Sequence, residues 1–405
     1  MSYNNYPIIA VGASITSISF IRTLRSHGDK RKVLLINGED RLPYKRTKIN
    51  KNMVRGFDKD EFKIADEKWY SENNVDLIYD RVIDVDQEVK KIRTRNNVEY
   101  SYDKLLISTG AVSVIPQISG VEKKEIHGVQ NAHDVERVLE KSGTKDRFLI
   151  IGGGVEGIET ADQLIRKGKK VILASRMKLP LQKLFPPKIS ATLKDAMLQK
   201  GVEFLSGVSV SSIQHIDGAY KVNLQGQVYQ FDVIVACTGA VPNIDLGKKA
   251  GLEVEHGIVV DEYMQTSNKD ILAAGDVAQH ARGVVTGLWH AAEHQGALAA
   301  YNILKKPQAH TLPPYRLKTE VFGLYLFSGA YEDVVPGVDT EVEEHHGAIT
   351  RFLYYMDESL KAAVFVNDQE RAKTYQKALM ERWNKDKVEQ ELPLPPAMSF
   401  SLFSS

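Results

Sequence analysis

The stretch that decides the fold runs from Phe148 to Lys167, FLIIGGGVEGIETADQLIRK. Phe148, Leu149, Ile150 and Ile151 form a short apolar run of the kind a parallel strand covered on both faces requires, and it stops at Gly152, Gly153 and Gly154. A helical pattern follows at once. The spacing Gly152, Gly154, Gly157 is G-x-G-x-x-G: the first glycine permits a tight turn, the second lets a pyrophosphate reach the backbone, and the third brings the helix close to the strand. Free N–H groups at the helix start then face the phosphates, with Glu156 in the same first turn. An isolated glycine motif is an ordinary strand-to-helix turn, but strand, motif and helix in register mark a dinucleotide site.

A second unit of the same kind lies upstream. Pro7 to Val11 reads as a buried strand, Ile15 to His27 as a helix closing near Gly28, and Lys32 to Ile36 as the next strand. Its turn keeps Gly12 but carries Ser14 and Ser17 where the other two glycines are expected. A serine hydroxyl can itself donate to a phosphate, yet Ser14 adds a side chain at the point of closest approach. Glu39 lies about 20 residues beyond the turn, where an acidic residue accepts from a ribose hydroxyl; the alternative is a solvated loop carboxylate. The segment RLPYKRTKINK follows, dense in Arg41, Lys45, Arg46, Lys48 and Lys51, and is either a wet surface or the neighbour of a diphosphate or an electron-rich ring.

Around these units the chain alternates strands and helices. Trp69 to Arg95 reads as short strands around a polar turn, and YDKLLISTGA is a buried strand ending at Thr109 and Gly110. FDVIVACTG ends likewise at Gly239, and TSNKDILAAGDV carries a short strand before Gly275 and Asp276. Leu288 to Ile303 reads as an alanine-rich helix; from Thr311 the pattern changes to short strands and a final helix around Gln369 to Arg382. The tail beyond Glu389, with Pro393, Pro395 and Pro396, reads as irregular. The expected fold class is α/β, with two Rossmann-like dinucleotide-binding domains and a C-terminal α+β domain. Their expected limits are 1–115 with 240–310, 116–239, and 311–405.

Composition bounds the function. With 43% hydrophobic and 26% charged residues the chain is an ordinary globular one, and a net charge of +1 gives no argument for nucleic acid or an anionic membrane as a bulk partner. The single cysteine, Cys237, excludes an intrachain disulfide, a two-cysteine redox centre and a cysteine-ligated metal cluster; its apolar strand context reads as an inert buried thiol. No metal site is expected. Pro7 to Ile21 lacks the basic flank of a signal peptide, and no run approaches the ~18 apolar residues of a membrane span, which points to the cytoplasm.

The residue closing the strand Lys170 to Ala174 governs cofactor choice, since a carboxylate accepts from the 2′-hydroxyl of NAD whereas Arg or Lys pairs with the 2′-phosphate of NADP. Ser175 stands where Glu would serve NAD, and Arg176 and Lys178 follow, so NADPH is the expected donor unless this basic stretch merely faces solvent.

Two dinucleotide units, a threonine-glycine strand end after each, and a late glycine-aspartate make the sequence resemble the flavoproteins related to the pyridine-nucleotide disulfide oxidoreductases. Within that group LPYKRTKINK resembles the P-Y-x-R-P-x-L-S-K segment of rubredoxin and ferredoxin reductases, and GLWHAAEHQGALAAYN with YRLKTEVFGLYLFSG resembles the rubredoxin reductase and nitrite reductase branch. The resemblance implies that the first unit and the Asp276 segment fold together around FAD, that the central unit binds NAD(P)H, and that the C-terminal domain covers the flavin. Gly12 and Ser14 would then meet the FAD diphosphate, Glu39 the adenosine ribose, Arg46 and Lys51 the flavin side, Asp276 the ribityl chain, and Trp289 the vicinity of the ring. Lys51 and Glu159 would pair beside the hydride acceptor; the alternative for Glu159 is an exposed helix-start carboxylate favoured by the dipole. Thr47 replaces the usual proline, Gly38 stands where a second acid is common, and the absence of a redox cysteine pair excludes disulfide chemistry.

The implied activity is an FAD-dependent NAD(P)H oxidoreductase that passes electrons to a small carrier such as rubredoxin or ferredoxin, as a monomer or homodimer. Lys45, Arg46 and Lys48 are candidates for docking an acidic carrier. A redox-sensing flavoprotein similar to apoptosis-inducing factor, with slow turnover and a partner-binding role, is the competing reading. Loss of FAD through the altered first motif is a third.

Overall fold

The runs PIIAV and VLLIN lie side by side as parallel strands Asn5–Val11 and Val33–Asn37, registered Ile8 to Val33 and Val11 to Ile36. The computed structural model in which they do so describes residues 4–57, 59–280, 283, 285–311, 316–331 and 337–394. By its internal contacts the chain divides into two compact units, one formed by the residues up to Val114 with Gln130–Ala132 and Gly239–Pro313, the other by Ile115–Val129, His133–Thr238 and the residues from Pro314.

In the first unit strand Val75–Tyr79 flanks Val33–Asn37, while Glu99–Ile107 lies on the other side of Asn5–Val11 and also pairs with Ile271–Ala273, all parallel. Antiparallel strands Lys91–Thr94 and Val82–Asp86 extend this sheet to seven strands among the described residues. The central strands are buried on both faces, which is why their sequences are continuous apolar runs rather than alternating ones. Helix Ile15–Ser26 packs on helix Trp289–Ile303, and Ile18, Phe20, Ile21, Leu24, Leu298 and Ala299 belong to the same apolar core as the sheet. Trp69 departs from the expected strand: it lies in a short helix, Glu67–Glu72, because Asp66 caps that helix by accepting from the Trp69 N–H at 2.8 Å.

The second unit is built on five parallel strands in the order Val202–Ser206, Lys170–Ser175, Arg147–Ile151, Val233–Ala236 and Ile126–His127. Helix Val155–Arg166 follows Arg147–Ile151 directly, as the glycine motif requires. The same unit holds a five-stranded antiparallel sheet, ordered Arg316–Val321, Leu324–Gly329, Ser359–Val366, Ile349–Met356 and Thr340–His346. Stacked Phe327 and Phe365, 4.6 Å apart, and Tyr375 on helix Ala372–Met380 form its core.

Around that core runs a polar network. Arg351, 2% exposed, donates to the Glu344 carboxylate, the Tyr375 hydroxyl and the Leu392 carbonyl, and Tyr375 donates to Asp368 at 2.8 Å. These bonds satisfy a charge that burial would otherwise make costly, and they tie down a second helix, Lys385–Glu391, that hydrophobic patterning does not anticipate. Its start is capped by Asn384, which accepts from the Lys387 N–H at 3.0 Å. Pro395 and Pro396 of the expected irregular tail lie outside the described residues.

Three imidazoles gather in the first unit: the His280 and His310 rings are 4.2 Å apart, and His294 lies 5.8 Å from His310. Burial, with His280 and His294 adding to it, pushes His310 down from 6.5 to about 4. The unfolded chain therefore binds its proton first, so this contribution to stability is full above about pH 6.5 and is lost as pH falls toward 4. Thermal unfolding followed across that range should show a falling Tm, and His310→Gln should flatten the slope.

Candidate functional site

Each unit places one strand-to-helix turn at the carboxyl ends of its parallel strands. In the first, Gly12 adopts φ +100°, and a Cβ there would lie 2.2 Å from the Ser108 carbonyl oxygen, so the turn passes directly against the neighbouring strand. Ser14 is the N-terminal flanking residue of helix Ile15–Ser26, but its side chain makes no capping hydrogen bond. A serine in that place normally accepts from the helix N–H groups; here the Ser14 side chain leaves them uncapped. Ser17 is fully buried, with its hydroxyl 2.5 Å from the Gly12 carbonyl oxygen and 2.7 Å from the Ser108 hydroxyl. The second replaced glycine is thus absorbed into the fold by polar pairing.

Glu39 follows strand Val33–Asn37, in a turn held by the Asn37 side chain, which accepts from the Glu39 N–H and donates to the Arg41 carbonyl. Its carboxylate accepts from the Tyr44 hydroxyl at 2.8 Å and from the Arg46 guanidinium. Tyr44 in turn accepts from the Ala132 N–H at 2.9 Å, which brings the crossover segment Gln130–Ala132 to the site. Burial alone would lower the Arg46 guanidinium, but Tyr44, Glu39 and Asp276 outweigh it and hold it above its ordinary value. Asp276 is raised by burial, partly offset by Arg46, and its Oδ1 has no hydrogen-bond partner among the described residues. Gly275, just before it, donates its N–H to the Gln295 side chain at 2.7 Å. Thr109 donates to the Asn243 carbonyl at 3.0 Å, and Gly110 accepts from the Asn243 N–H at 2.9 Å. Lys51 is half-buried in the turn Asn50–Asn52, and Trp289 is half-buried at the first position of its helix.

In the second unit a Cβ at Gly152, where φ is +120°, would lie 2.1 Å from the Cys237 carbonyl oxygen, and one at Gly157 would lie 2.0 Å from the Gly152 carbonyl oxygen. Gly154 differs: nothing lies within 4 Å of its Cβ position, so the backbone opens onto space where the motif expects a pyrophosphate. Gly239, which ends the FDVIVACTG stretch, is exposed and belongs to the first unit, where its carbonyl accepts from the Val114 N–H at 2.9 Å. Ser175 is buried and accepts from the Met177 N–H at 3.1 Å, while Arg176 and Lys178 are exposed. Burial, then the neighbouring Glu159 and Asp134, raises Glu156. Glu159 is not the exposed carboxylate of a helix start; it is 5% exposed and accepts from the Thr319 hydroxyl at 2.6 Å. Cys237 is buried, and burial with Glu156 beside it pushes the thiol far up, away from the reactive thiolate.

The residues fit the two cofactors. A buried carboxylate with one oxygen lacking a donor among the described residues and an uncapped helix start suit the ribityl hydroxyls and diphosphate of FAD, and the open cradle at Gly154 suits a pyridine nucleotide. Tyr44, Ala132, Gln295 and Thr319, which hold these residues in place, carry no sequence signal of their own, because their partners are remote in the chain.

A fold with two dinucleotide-binding turns, an acid after the first and a buried glycine-aspartate defines an FAD- and pyridine-nucleotide-dependent oxidoreductase. The chain belongs to the pyridine nucleotide-disulphide oxidoreductase family, whose model matches residues 6–296. It is 26% identical over 374 residues to the rubredoxin-NAD(+) reductase of Pseudomonas putida, covering 89% of this chain and 95% of that one. It is 28% identical over 326 residues to the nitric oxide reductase FlRd-NAD(+) reductase of Escherichia coli, covering 79% and 85%. Among solved structures, the ferredoxin reductase of Rhodopseudomonas palustris superposes with a TM-score of 0.84 at 22% identity, over 95% of this chain and 96% of that one.

Because Gly154 faces open space, Gly154→Ala should leave the Tm unchanged yet raise the Kd for NAD(P)H about tenfold, as measured by equilibrium titration.

Proposed function

We propose that this oxidoreductase draws on NADPH in preference to NADH and hands the electrons to a small carrier protein of the rubredoxin or ferredoxin class. The donor preference rests on the end of strand Lys170–Ser175. Ser175 is buried and committed to the Met177 N–H, so no carboxylate stands ready for a 2′-hydroxyl, and the exposed Arg176 and Lys178 supply the positive charge a 2′-phosphate needs. The two relatives are named for NAD(+), so the proposed preference sets this chain apart from them.

FAD, when bound, accepts a pair of electrons as hydride and releases them singly, the conversion that a pyridine nucleotide cannot make alone. Gly12, Ser14 and the open helix start hold its diphosphate, Asp276 receives ribityl hydroxyls, and Arg46 sets a fixed positive charge between Glu39 and Asp276. Gly152, Gly154 and Gly157 hold the nucleotide pyrophosphate. Lys51 is the charged group proposed on the flavin side and Glu159, its carboxylate fixed by the Thr319 hydroxyl, the one proposed on the nucleotide side. Trp289, Thr109, Gly110 and Gly239 line the cofactors.

The names of the relatives support the carrier class: one reduces rubredoxin, and the solved neighbour is a ferredoxin reductase. An exchange of single electrons asks for no catalytic acid, only a docking surface, and the basic segment with Lys45 and Lys48 serves an acidic carrier. Among the described residues no helix is long and apolar enough to cross a membrane; the reductase is proposed to act in the cytoplasm, as a monomer or homodimer.

Anaerobic addition of one equivalent of NADPH should bleach the flavin band near ~450 nm faster than NADH does. Arg176→Ala should reduce that preference about tenfold, the worth of one charge-assisted hydrogen bond. Faster reduction by NADH in the wild type sinks the donor assignment. A reduced complex that persists in the presence of oxidised carrier sinks the reductase assignment in favour of a sensor.

A further inference from the structure

Asn50 sits in the short turn Asn50–Asn52, next to the proposed flavin-side Lys51 and one residue, Ile49, beyond the turn Arg46–Lys48. It is 7% exposed, and its side-chain carbonyl oxygen has no hydrogen-bond partner among the described residues. Its main-chain carbonyl already serves the turn by accepting from the Met53 N–H, so the side chain is not needed to hold the local backbone. A buried carbonyl without a donor carries its full desolvation cost, and native proteins keep such a group where a ligand or water completes it.

The same unit contains a second orphan of the same polarity. Asp276 Oδ1 is buried without a partner, and Arg46, four residues before Asn50, is close enough to Asp276 for each to alter the other's ionisation. Two segments remote in sequence thus each present an acceptor without a donor among the described residues, and Arg46, which acts on Asp276, belongs to the same segment as Asn50. Their common complement is a ligand rich in donors, as the ribityl hydroxyls and the ring N–H groups of FAD are.

We infer that Asn50 is a further contact of FAD, its side-chain carbonyl accepting a hydrogen bond from the cofactor. The inference rests on the flavoprotein reading and adds to it a residue in the position where the resembling reductase segment has serine. A hydrogen bond made only in the holoprotein has a signature that a structural one lacks: removing it weakens cofactor binding while relieving the apoprotein of an unsatisfied group.

The test uses the full chain stripped of FAD and titrated with FAD by fluorescence quenching, alongside its thermal unfolding. Asn50→Leu, close in size and without an acceptor, should raise the FAD Kd about tenfold, shift the visible bands of the bound flavin, and leave the apoprotein Tm equal to or above that of the wild type. Asn50→Ser, which keeps an acceptor and guards against a misfolded leucine variant, should recover part of the affinity. Unchanged FAD affinity in Asn50→Leu, or a lowered apoprotein Tm with affinity intact, overturns the assignment of Asn50. A wild type that takes up no FAD overturns the flavoprotein reading itself.

Discussion

The close approach of a strand-to-helix turn to a neighbouring carbonyl is the constraint on which the rest of this molecule depends. It occurs twice, at Gly12 against Ser108 and at Gly152 against Cys237, each time with a backbone angle that favours glycine. At that distance a β-carbon would overlap the carbonyl oxygen, so the helix could not start where the sheet ends. The two turns therefore define where helix N–H groups converge, and an anionic cofactor is the ligand such a convergence serves.

The second turn follows the glycine rule throughout, whereas the first departs from it at two positions, Ser14 and Ser17. Gly157 has no room for a side chain, since a Cβ would lie 2.0 Å from Gly152 O. Ser17, in the matching place, carries a hydroxyl that reaches the matching Gly12 carbonyl at 2.5 Å and shares a bond with Ser108. A side-chain hydrogen bond to the turn carbonyl thus takes the place of a close backbone approach to it, and the helix start has no side-chain cap.

Near the first turn Glu39, Arg46 and Asp276 are engaged with one another. Glu39 receives Tyr44 and Arg46, and Arg46 also feels Asp276. Such an arrangement holds a guanidinium in place without exposing it fully to water, and it leaves Asp276 Oδ1 and Asn50 Oδ1 as acceptors still to be met. In the second unit the corresponding polarity sits on helix Val155–Arg166, where Glu159 and Asp162 bond to Thr319 and the Phe322 N–H of the antiparallel sheet. The helix that begins at the nucleotide turn is thereby anchored by the C-terminal strands.

By itself the sequence determined what is local in the chain: the buried parallel strands, the two glycine turns, the helix Trp289–Ile303, and the candidate residues that stand at fixed offsets from them, Glu39, Ser175 and Arg176. These are legible because hydrophobic period and turn chemistry act over a few residues. Helix Glu67–Glu72 was hidden because its signal is one capping carboxylate, and helix Lys385–Glu391 because it is held by Arg351 and Arg371 rather than by its own apolar face. Only the tertiary structure decided that Glu159 is buried against Thr319, that Tyr44 joins Glu39 to Ala132, and that Asn50 Oδ1 and Asp276 Oδ1 lack donors among the described residues. Those are matters of which groups remote in sequence share a desolvated volume, and hydrogen-bond satisfaction is set by that volume, not by the order of residues along the chain.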